Sequence, residues 1–152
     1  MKDFGLDDAP VGRLLGLAGR MVAARFHRVL EAQGMTHAGW QVLIALHKAD
    51  GPLTQREVAE RCFVTQATVT GVVDTLEREG FVARERDERD RRVVRVSLTK
   101  DGGKRLERTF RTVAAEMAPL FHDMTPREEA VVRRFLTRTV RRLGADPQEL
   151  TQ

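Results

Sequence analysis

The sequence predicts a mainly α (α+β) chain in which two short helices and a β-hairpin lie between long helices. The two short helices follow one another directly and begin after Thr caps at Thr54 and Thr65. After Gly80 the spacing of the apolar residues changes from helical to alternating, which indicates two strands. Long amphipathic segments flank this unit on both sides. The order is that of a winged helix-turn-helix with additional N- and C-terminal helices.

The first two helices are predicted from apolar spacing and from helix caps. The first covers roughly residues 9–33. The second begins after Thr36, where Met35 and Trp40 occupy the two positions of a hydrophobic staple. It is predicted to stop at the Asp-Gly-Pro turn of residues 50–52.

The two short helices carry the strongest local signals. Thr54 and Glu57 have the spacing of a capping box. Thr65 caps the following helix, which is predicted to end at Gly80. The buried face of this second helix is a row at helical spacing, made of Val69, Val72, Val73 and Leu76.

The second half of the chain is predicted as a hairpin and two long helices. The strands are "FVARE" and "VVRVSL", joined by an unbroken charged run that includes Glu85–Arg92. Thr99 caps a helix through about His122, and Thr125 with Pro126 opens a last helix that ends near Gly144. We therefore expect a winged helix-turn-helix DNA-binding domain at 36–103, a helical dimerisation region at 9–33 and 104–144, and flexible termini at 1–8 and 145–152.

Length and composition exclude several classes of protein. The chain has 152 residues, of which 41% are hydrophobic, enough for one domain with a core. It lacks an apolar stretch of the roughly 18 residues that span a membrane, and its start lacks a signal-peptide layout. We expect a cytoplasmic protein without a membrane partner. The single cysteine, Cys62, excludes an internal disulfide and a cysteine-based zinc site, and catalytic motifs are missing. We expect neither an enzyme nor a bound cofactor or metal.

Charge is distributed unevenly along the chain. Residues Arg84–Arg105 carry 9 basic and 5 acidic side chains, and Arg127–Arg142 carry 6 basic and 2 acidic ones. The segment Lys48–Glu79 has 4 basic and 6 acidic side chains. Basic blocks on both sides of a nearly neutral middle favour contact with a polyanion such as double-stranded DNA at particular places.

The helix after Thr65 has the composition of a DNA-reading helix. Its face opposite the apolar row is small and uncharged in the first two turns, where Thr and Gln side chains bond to base edges and Thr methyl groups contact thymine. A glycine in mid-helix costs roughly 1 kcal/mol relative to alanine, which is understandable if a larger side chain would hold the helix away from DNA. The alternative is an ordinary amphipathic helix. The predicted contacts are Gln66, Ala67, Thr68, Thr70 and Gly71, with phosphate contacts at the helix caps Thr54 and Thr65.

The charged hairpin is predicted to aim its arginines at DNA rather than to be only a solvated loop. Asp90 stands two residues before Arg92 and is expected to hold it extended through a charge-assisted hydrogen bond. Arginine at a hairpin tip beside a recognition helix suits the narrow minor groove of A·T-rich DNA. Arg91 belongs to the same tip, and the residues nearer the strands, Arg84, Arg86 and Arg95, are predicted to contact phosphates.

The segment Leu53–Gly102 resembles the DNA-binding core of the MarR (multiple antibiotic resistance regulator) family. The matching residues are Val69, Leu76, Gly80, the hairpin Asp90-Arg91-Arg92, Leu98-Thr99 and Gly102. The flanking helices agree in number and length, so the resemblance covers nearly the whole chain. At Gly71 the sequence departs from a frequent family pattern, a longer polar or basic residue.

The resemblance implies how the chain assembles and what it does. It implies a homodimer made by the first and last helices and bound to a pseudo-palindromic operator. The helix after Thr65 would lie in the major groove and Arg92 in the minor groove, oriented by Asp90. It also implies a repressor that is often released by a small, commonly aromatic, effector. In the family, the elements carrying His27, Trp40, His47 and Phe110 border a crevice, so these residues are the predicted ligand pocket; a core tryptophan and ordinary histidines are the alternative.

Two apolar stripes independently suggest a dimer. One contains Val131, Val132, Phe135, Leu136, Thr139, Val140 and Leu143, and the other contains Leu14, Leu17, Ala18 and Met21. The alternative is that both stripes pack only within one chain. A dimer would present two recognition helices about one DNA turn apart, roughly 34 Å.

Two other functions remain possible from the sequence. Cys62 would make the protein a redox-responsive regulator if its thiolate were exposed, but its position favours a small buried hydrophobe. A winged helix also serves as a scaffold for protein–protein contacts, which would make the chain an interaction adaptor.

Overall fold

The computed structural model describes residues 5–143 of the chain. The predictions for residues 145–152, for residues 1–4 and for the end of the last helix near Gly144 lie outside the described residues. Six α-helices, three strands and one 3₁₀ turn are described: α1 Val11–Ala32, α2 His37–His47, β1 Leu53–Thr54, α3 Gln55–Cys62, α4 Gln66–Arg78, β2 Val82–Arg86, β3 Val94–Leu98, α5 Lys100–Met117, the 3₁₀ turn Ala118–Leu120 and α6 Pro126–Leu143. The predicted winged helix-turn-helix between long helices is confirmed.

Threonine caps set the starts of the helices. Thr36, Thr54, Thr65 and Thr99 each accept a hydrogen bond from the backbone N–H three residues on, at 3.0 to 3.2 Å. At Thr54 the capping box is complete, because its own N–H donates to Glu57 Oε2 at 2.7 Å. Each such cap contributes about 1 kcal/mol to stability. The capping signals therefore located these helix starts correctly.

The wing is a three-stranded antiparallel sheet in the order β1-β3-β2, not the two-stranded hairpin that the sequence predicted. In the additional strand, Leu53 pairs with Val96 and Thr54 with Arg95. A strand of two residues is too short to show an alternating pattern, so β1 could not be predicted from the sequence. In the hairpin, β2 pairs with β3, and Val82 lies opposite Leu98.

Two predicted helix boundaries were wrong, and proline explains both. The helix after Thr99 ends at Met117 rather than near His122, because Pro119 lacks the N–H needed to continue an α-helix and the chain changes to a 3₁₀ turn. The first helix begins at Val11 rather than Ala9, since Pro10 occupies the position before the first turn.

The core joins α2, α3 and α4 to the wing. Its fully buried side chains come from α1, α2, α3, α4, α5 and β3, and the largest include Leu30, Leu43, Val58, Val69, Val73, Val96 and Thr109. On α4, Val69, Val73 and Leu76 are buried and Val72 is partly buried, as the apolar spacing predicted. With this face fixed in the core, the opposite face of α4 is open to solvent.

Two glycines mark where the wing meets the helices. Gly80 ends α4 in the left-handed region, with φ of +79°. A Cβ at Gly102 would overlap the Phe81 carbonyl, so only glycine allows the start of α5 to pack against the root of the wing. In the part of the chain that the structure describes, no helix is long and apolar enough to cross a membrane.

Candidate nucleic-acid interface

The exposed face of α4 is small, polar and uncharged in its first two turns. Gln66, Ala67, Thr70 and Gly71 are exposed, and Thr68 is half-buried beneath the cap. A Cβ at Gly71 would have no heavy atom within 4 Å, and its φ is not positive. The fold therefore does not require glycine at this position.

Thr70 has partners within the protein that the sequence did not predict. Its Oγ1 lies 2.7 Å from Gln55 Oε1 and 3.0 Å from the Gln66 carbonyl. A hydroxyl donates one proton, so the two acceptors compete for it. The contact to Gln55 connects the start of α3 to α4, and Thr70 thus has a structural role beside its predicted base contact.

The tip of the wing holds an extended arginine. Asp90 accepts both side-chain hydrogen bonds of Arg92, Nε to Oδ1 and the terminal nitrogen to Oδ2, each at 3.0 Å. The backbone N–H of Arg92 also donates to Asp90 Oδ1 at 3.0 Å. The hydrogen bonds from Arg92 lower the pKa of Asp90 below its ordinary value. The predicted pairing is confirmed, and the Arg92 side chain remains 91% exposed.

Asp87 organises the loop behind the tip. Its Oδ1 accepts the backbone N–H groups of Arg89 at 2.8 Å and Asp90 at 3.2 Å, and its Oδ2 pairs with Arg95 Nε. Hydrogen bonding to Arg95, then to the two backbone groups, lowers the pKa of Asp87 to about 2. The sequence did not identify Asp87, although an aspartate two or three residues before a turn is a recognised loop-forming signal.

Arg95 also connects the wing to the start of α3. Its Nη1 lies 3.4 Å from the Pro52 carbonyl and 3.9 Å from Glu57 Oε2. Phosphate contact was predicted for this residue, and its position beside Thr54 is compatible with that role. However, its guanidinium is already engaged with groups of the protein.

Arg84 lies in a different environment from the one predicted. Its guanidinium contacts Asp74 Oδ1 at 2.5 Å and Glu77 Oε2 at 2.7 Å, and its side chain is only 20% exposed. It also donates to the Thr70 carbonyl at 3.5 Å. Burial lowers the pKa of Arg84, but the hydrogen bonds to the two carboxylates outweigh it and raise the pKa overall. Both terminal nitrogens of this guanidinium are therefore engaged with groups of α4.

The other wing arginines are open to solvent. Arg86 and Arg91 are exposed, and within the described residues neither side chain forms an ion pair. Arg92 is exposed as well but is paired with Asp90. Exposed guanidinium groups of this kind suit contacts with a phosphate backbone.

The predicted ligand-pocket residues are only partly brought together. Trp40 and Phe110 stack with ring centroids 6.3 Å apart and planes at 15°, and Phe110 is 60% exposed. Phe26 meets Trp40 edge-on at 6.3 Å. His47 is exposed and outside this aromatic cluster. Phe26 was missed, although it lies one turn before Leu30 on the face of α1 that enters the core.

Histidines extend this aromatic cluster towards the start of α2. The rings of His27 and His37 lie 5.0 Å apart, and Phe26 meets His37 edge-on at 5.6 Å. Burial, followed by the nearby His27, lowers the pKa of His37. His37 was also missed by sequence reasoning, which considered spacing within single helices rather than contacts between α1 and α2.

A cavity of about 510 Å³ lies between α2 and α3 and is lined in part by Trp40. Ile44 and Phe63 contribute to its apolar lining, and Lys48 and Arg61 contribute positive charge. Cys62 also borders it, but the residue is buried and burial raises the pKa of its thiol to about 11. Such a thiol is protonated at neutral pH, which argues against the redox alternative.

Most of the apolar stripe of α6 is exposed within residues 5–143. No residue of α6 up to Leu143 is buried, and the exposed members of the stripe are Val131, Val132, Leu136, Val140 and Leu143. Phe135 is half-buried. On α1, Leu14 and Leu17 are half-buried and Met21 is exposed. Within the described residues, neither stripe is fully covered by its own chain.

Comparison with known proteins identifies transcription regulators. The profile of the MarR family matches residues 33–93. The regulator YkoM of Bacillus subtilis is 30% identical over 117 residues, which are 77% of this chain and 75% of YkoM. The Bacillus subtilis transcriptional repressor YetL is 35% identical over 91 residues, 57% of this chain and 54% of YetL. The repressor MdtR is 37% identical over 99 residues, 65% of this chain and 63% of MdtR. The chain thus matches about half to three quarters of these curated relatives.

Solved structures share the fold over most of the chain. BpsR of Bordetella bronchiseptica, whose DNA binding is regulated by 6-hydroxynicotinic acid, has a TM-score of 0.72 and 29% identity, covering 86% of this chain and 92% of BpsR. CouR of Rhodococcus jostii, bound to p-coumaroyl-CoA, has a TM-score of 0.72 and 27% identity, covering 86% and 91%. MarR of E. coli, without ligand, has a TM-score of 0.71 and 25% identity, covering 87% and 98%.

Proposed function

The chain belongs to the MarR family of transcription regulators, and from this premise we propose that it represses transcription by binding a pseudo-palindromic operator as a homodimer. The observation that carries the proposal is the pairing of two features on one surface. The uncharged, small-residue face of α4 lies in the helix-turn-helix, and the wing beside it presents Arg92 extended by Asp90. In this proposal the face of α4 reads the major groove and Arg92 reads the minor groove.

In this proposal α4 enters the major groove with its N-terminal half. Gln66 and Thr68 supply hydrogen-bonding groups for base edges, and Ala67 and Gly71 let the helix axis approach the groove floor. Thr70 contributes its methyl group while its hydroxyl is engaged with Gln55. The helix starts at Thr54 and Thr65 direct backbone N–H groups towards phosphates.

The wing completes the contact. Arg92 enters the minor groove next to the recognition helix, where narrow A·T-rich sequence attracts a guanidinium. Arg86 and Arg91 follow the phosphate backbone and supply salt-dependent affinity. Arg95 fixes the wing loop through Asp87 and connects the wing to the Pro52 carbonyl and to Glu57 of α3, so that the tip keeps its direction.

The dimer is proposed to form through α6 and the first part of α1. The uncovered stripe of α6 carries five large exposed apolar side chains, a larger apolar surface than isolated exposed residues would give. Symmetric pairing about a twofold axis would cover it and place two α4 helices about one DNA turn apart. The partners proposed for the chain are thus double-stranded DNA and a second copy of itself.

A small aromatic effector is proposed to control this dimer. The aromatic cluster of Trp40 and Phe110 connects α2 to α5, which leads from the wing to the proposed dimer region. The ligands named for BpsR and CouR, 6-hydroxynicotinic acid and a coumaroyl thioester, are aromatic. A ligand shifts the dimer away from the operator-binding geometry only by the difference between its affinities for the two states.

Selection of binding sites from a random duplex pool with purified protein tests the proposal. The expected result is an enriched inverted repeat whose half-sites lie about one helical turn apart. If no motif is enriched and binding follows only ionic strength, the protein does not read sequence. The adaptor alternative would then replace the proposed function.

A further inference from the structure

Two carboxylates on α4 pose an electrostatic problem for a helix that enters DNA. At 100° per residue, Asp74 continues the row of Ala67 and Gly71, and Glu77 lies one turn further along the side facing β2. Helix α4 carries two acidic residues and one basic residue, Arg78, a net charge of −1. A carboxylate close to DNA phosphates is repelled, and more strongly once water is displaced from the interface.

Arg84 provides the charge that this face lacks. Its guanidinium reaches from β2 to both carboxylates, at 2.5 Å from Asp74 and 2.7 Å from Glu77. These two side chains remain 53% and 40% exposed, whereas Arg84 is mostly covered. Adding Arg84 brings the helix to neutrality. The exposed carboxylates are thus masked by a cation that belongs to the wing and not to the helix.

The same contacts fix the wing relative to the recognition helix. Arg84 contacts the Thr70 carbonyl, Asp74 and Glu77, which span two turns of α4. It lies on β2, whose partner β3 continues from the tip that carries Arg92. The angle between α4 and the wing determines whether major-groove and minor-groove contacts form at the same time.

We propose that Arg84 is a positioning residue for DNA recognition, which neutralises Asp74 and Glu77 and holds the wing at the angle that α4 requires, rather than a residue that contacts phosphate. This inference rests on the proposed function, because it assigns a role within the same DNA interface. It differs from the phosphate role that the sequence predicts for this arginine. The two roles have different consequences when the carboxylates are removed.

The test is a cycle of variants on the selected operator. Arg84→Met is made in the native chain and in a chain that carries Asp74→Asn and Glu77→Gln. Masking predicts that Arg84→Met weakens binding about 10-fold or more with the native carboxylates, but less than about 3-fold in the neutral background. A phosphate contact predicts the same loss in both backgrounds, and that result would overturn the inference.

The salt dependence of binding gives a second readout. Loss of a phosphate contact reduces the slope of log Kd against log salt by about one. Masking predicts that Arg84→Met leaves this slope unchanged, because Arg84 displaces no counterion from DNA. Arg86→Met on the same strand is the comparison variant for a phosphate contact. Arg111→Met, which removes an exposed arginine paired with Glu107 on α5, controls for the loss of one positive charge.

Conservative replacement keeps the test usable if Arg84→Met melts below the assay temperature. Arg84→Lys retains the charge, but its compact ammonium lacks the planar fork with which a guanidinium donates to two carboxylates at once. Masking predicts that Arg84→Lys lowers affinity less than Arg84→Met does, and that this loss disappears in the neutral background. An equal loss in both backgrounds contradicts masking. If the native protein selects no operator, the proposed function fails and this inference fails with it. If an operator is selected but the effects of Arg84→Met and of the two carboxylate substitutions on affinity are additive, this inference is wrong and the proposed function stands.

Discussion

At the scale of single residues, the surface ion pairs of the wing matter more for geometry than for stability. An exposed pair such as Asp90–Arg92 contributes between roughly 0 and 1 kcal/mol to folding. A free arginine side chain, however, carries about 2 kcal/mol of rotamer entropy, part of which is lost on binding. Holding Arg92 in one direction before DNA arrives reduces that loss. The pair is therefore best understood as preorganisation of a contact.

Replacing Arg92 with alanine should lower operator affinity roughly 10- to 100-fold, as expected for the loss of a groove contact. The melting temperature should not change, because the side chain is almost fully exposed. Asp90→Ala should cause a smaller loss, since Arg92 remains but is no longer held. Fluorescence anisotropy with the selected duplex measures both. Unchanged affinity of Arg92→Ala would show that the wing tip is a solvated loop.

Cys62 should not react with iodoacetamide in the native protein at pH 8. Burial raises its pKa to about 11, so the thiolate that reacts is scarce, and the side chain is covered. The thiol should react readily once guanidinium unfolds the chain. Mass spectrometry of the alkylated protein measures the extent of reaction. Rapid labelling of the folded protein would restore the redox alternative.

At the scale of elements, the features that could be predicted were those determined by residues close together in the sequence. Threonine caps and apolar spacing located α2, α3, α4 and the hairpin, since both signals act within a few residues. The additional strand β1 was not predicted because its two residues pair with β3, which is more than forty residues away in the sequence. The ion pairs of Arg84 were not predicted for the same reason, since its partners are on another element. Contacts between elements depend on the folded structure and cannot be predicted from local sequence patterns alone.

Gly71→Ala should stabilise the protein and weaken its DNA binding. The added Cβ meets no heavy atom within 4 Å, so alanine should raise the free energy of unfolding by up to about 1 kcal/mol through helix propensity. Affinity should fall because the methyl group holds α4 off the groove floor. Gly103→Ala in α5, where a Cβ meets only Leu98 at 3.9 Å, is the matched control and should leave affinity unchanged. Tighter DNA binding by Gly71→Ala would remove the reason proposed for this glycine.

The Asp87 carboxylate should make the wing sensitive to acid. Its pKa falls from an ordinary value of 3.8 to about 2 in the folded chain, mainly through Arg95. A lowered pKa means that this stabilisation is fully present above about pH 4 and is lost as the pH falls through about 2. Asp87→Asn should therefore lower stability at pH 7 and reduce the difference in stability between pH 5 and pH 2.5. Urea denaturation at these pH values measures it, and an unchanged acid dependence would show that the pair is not formed in solution.

At the scale of the whole molecule, α6 is the element that a single chain leaves unexplained. Its capping box at Thr125 and Glu128 stabilises a helix whose apolar side is exposed. The amphipathic pattern of this helix was readable from the sequence, and so was the suggestion of a dimer. The monomer now adds that no described residue of α6 is buried, which makes a second chain the natural cover for the stripe.

Leu136→Glu should convert the proposed homodimer to a monomer and reduce operator affinity. A charge in the middle of the stripe would remain unpaired in the proposed interface, and such a group is strongly unfavourable when buried. Arg134→Glu, on the opposite face of α6, should leave the assembly dimeric. Light scattering coupled to size-exclusion chromatography gives the mass of each variant. A Leu136→Glu dimer as stable as the native one would place the interface elsewhere.

We expect one dimer to read two half-sites on the same face of DNA, so that binding depends on the helical phase of the half-sites. Operators are compared in which about 5 base pairs, half a helical turn, are inserted between the selected half-sites. The predicted result is that affinity falls to that of a single half-site, because the two α4 helices no longer face their grooves together. Affinity unchanged by the half-turn insertion would contradict a dimer with fixed recognition helices.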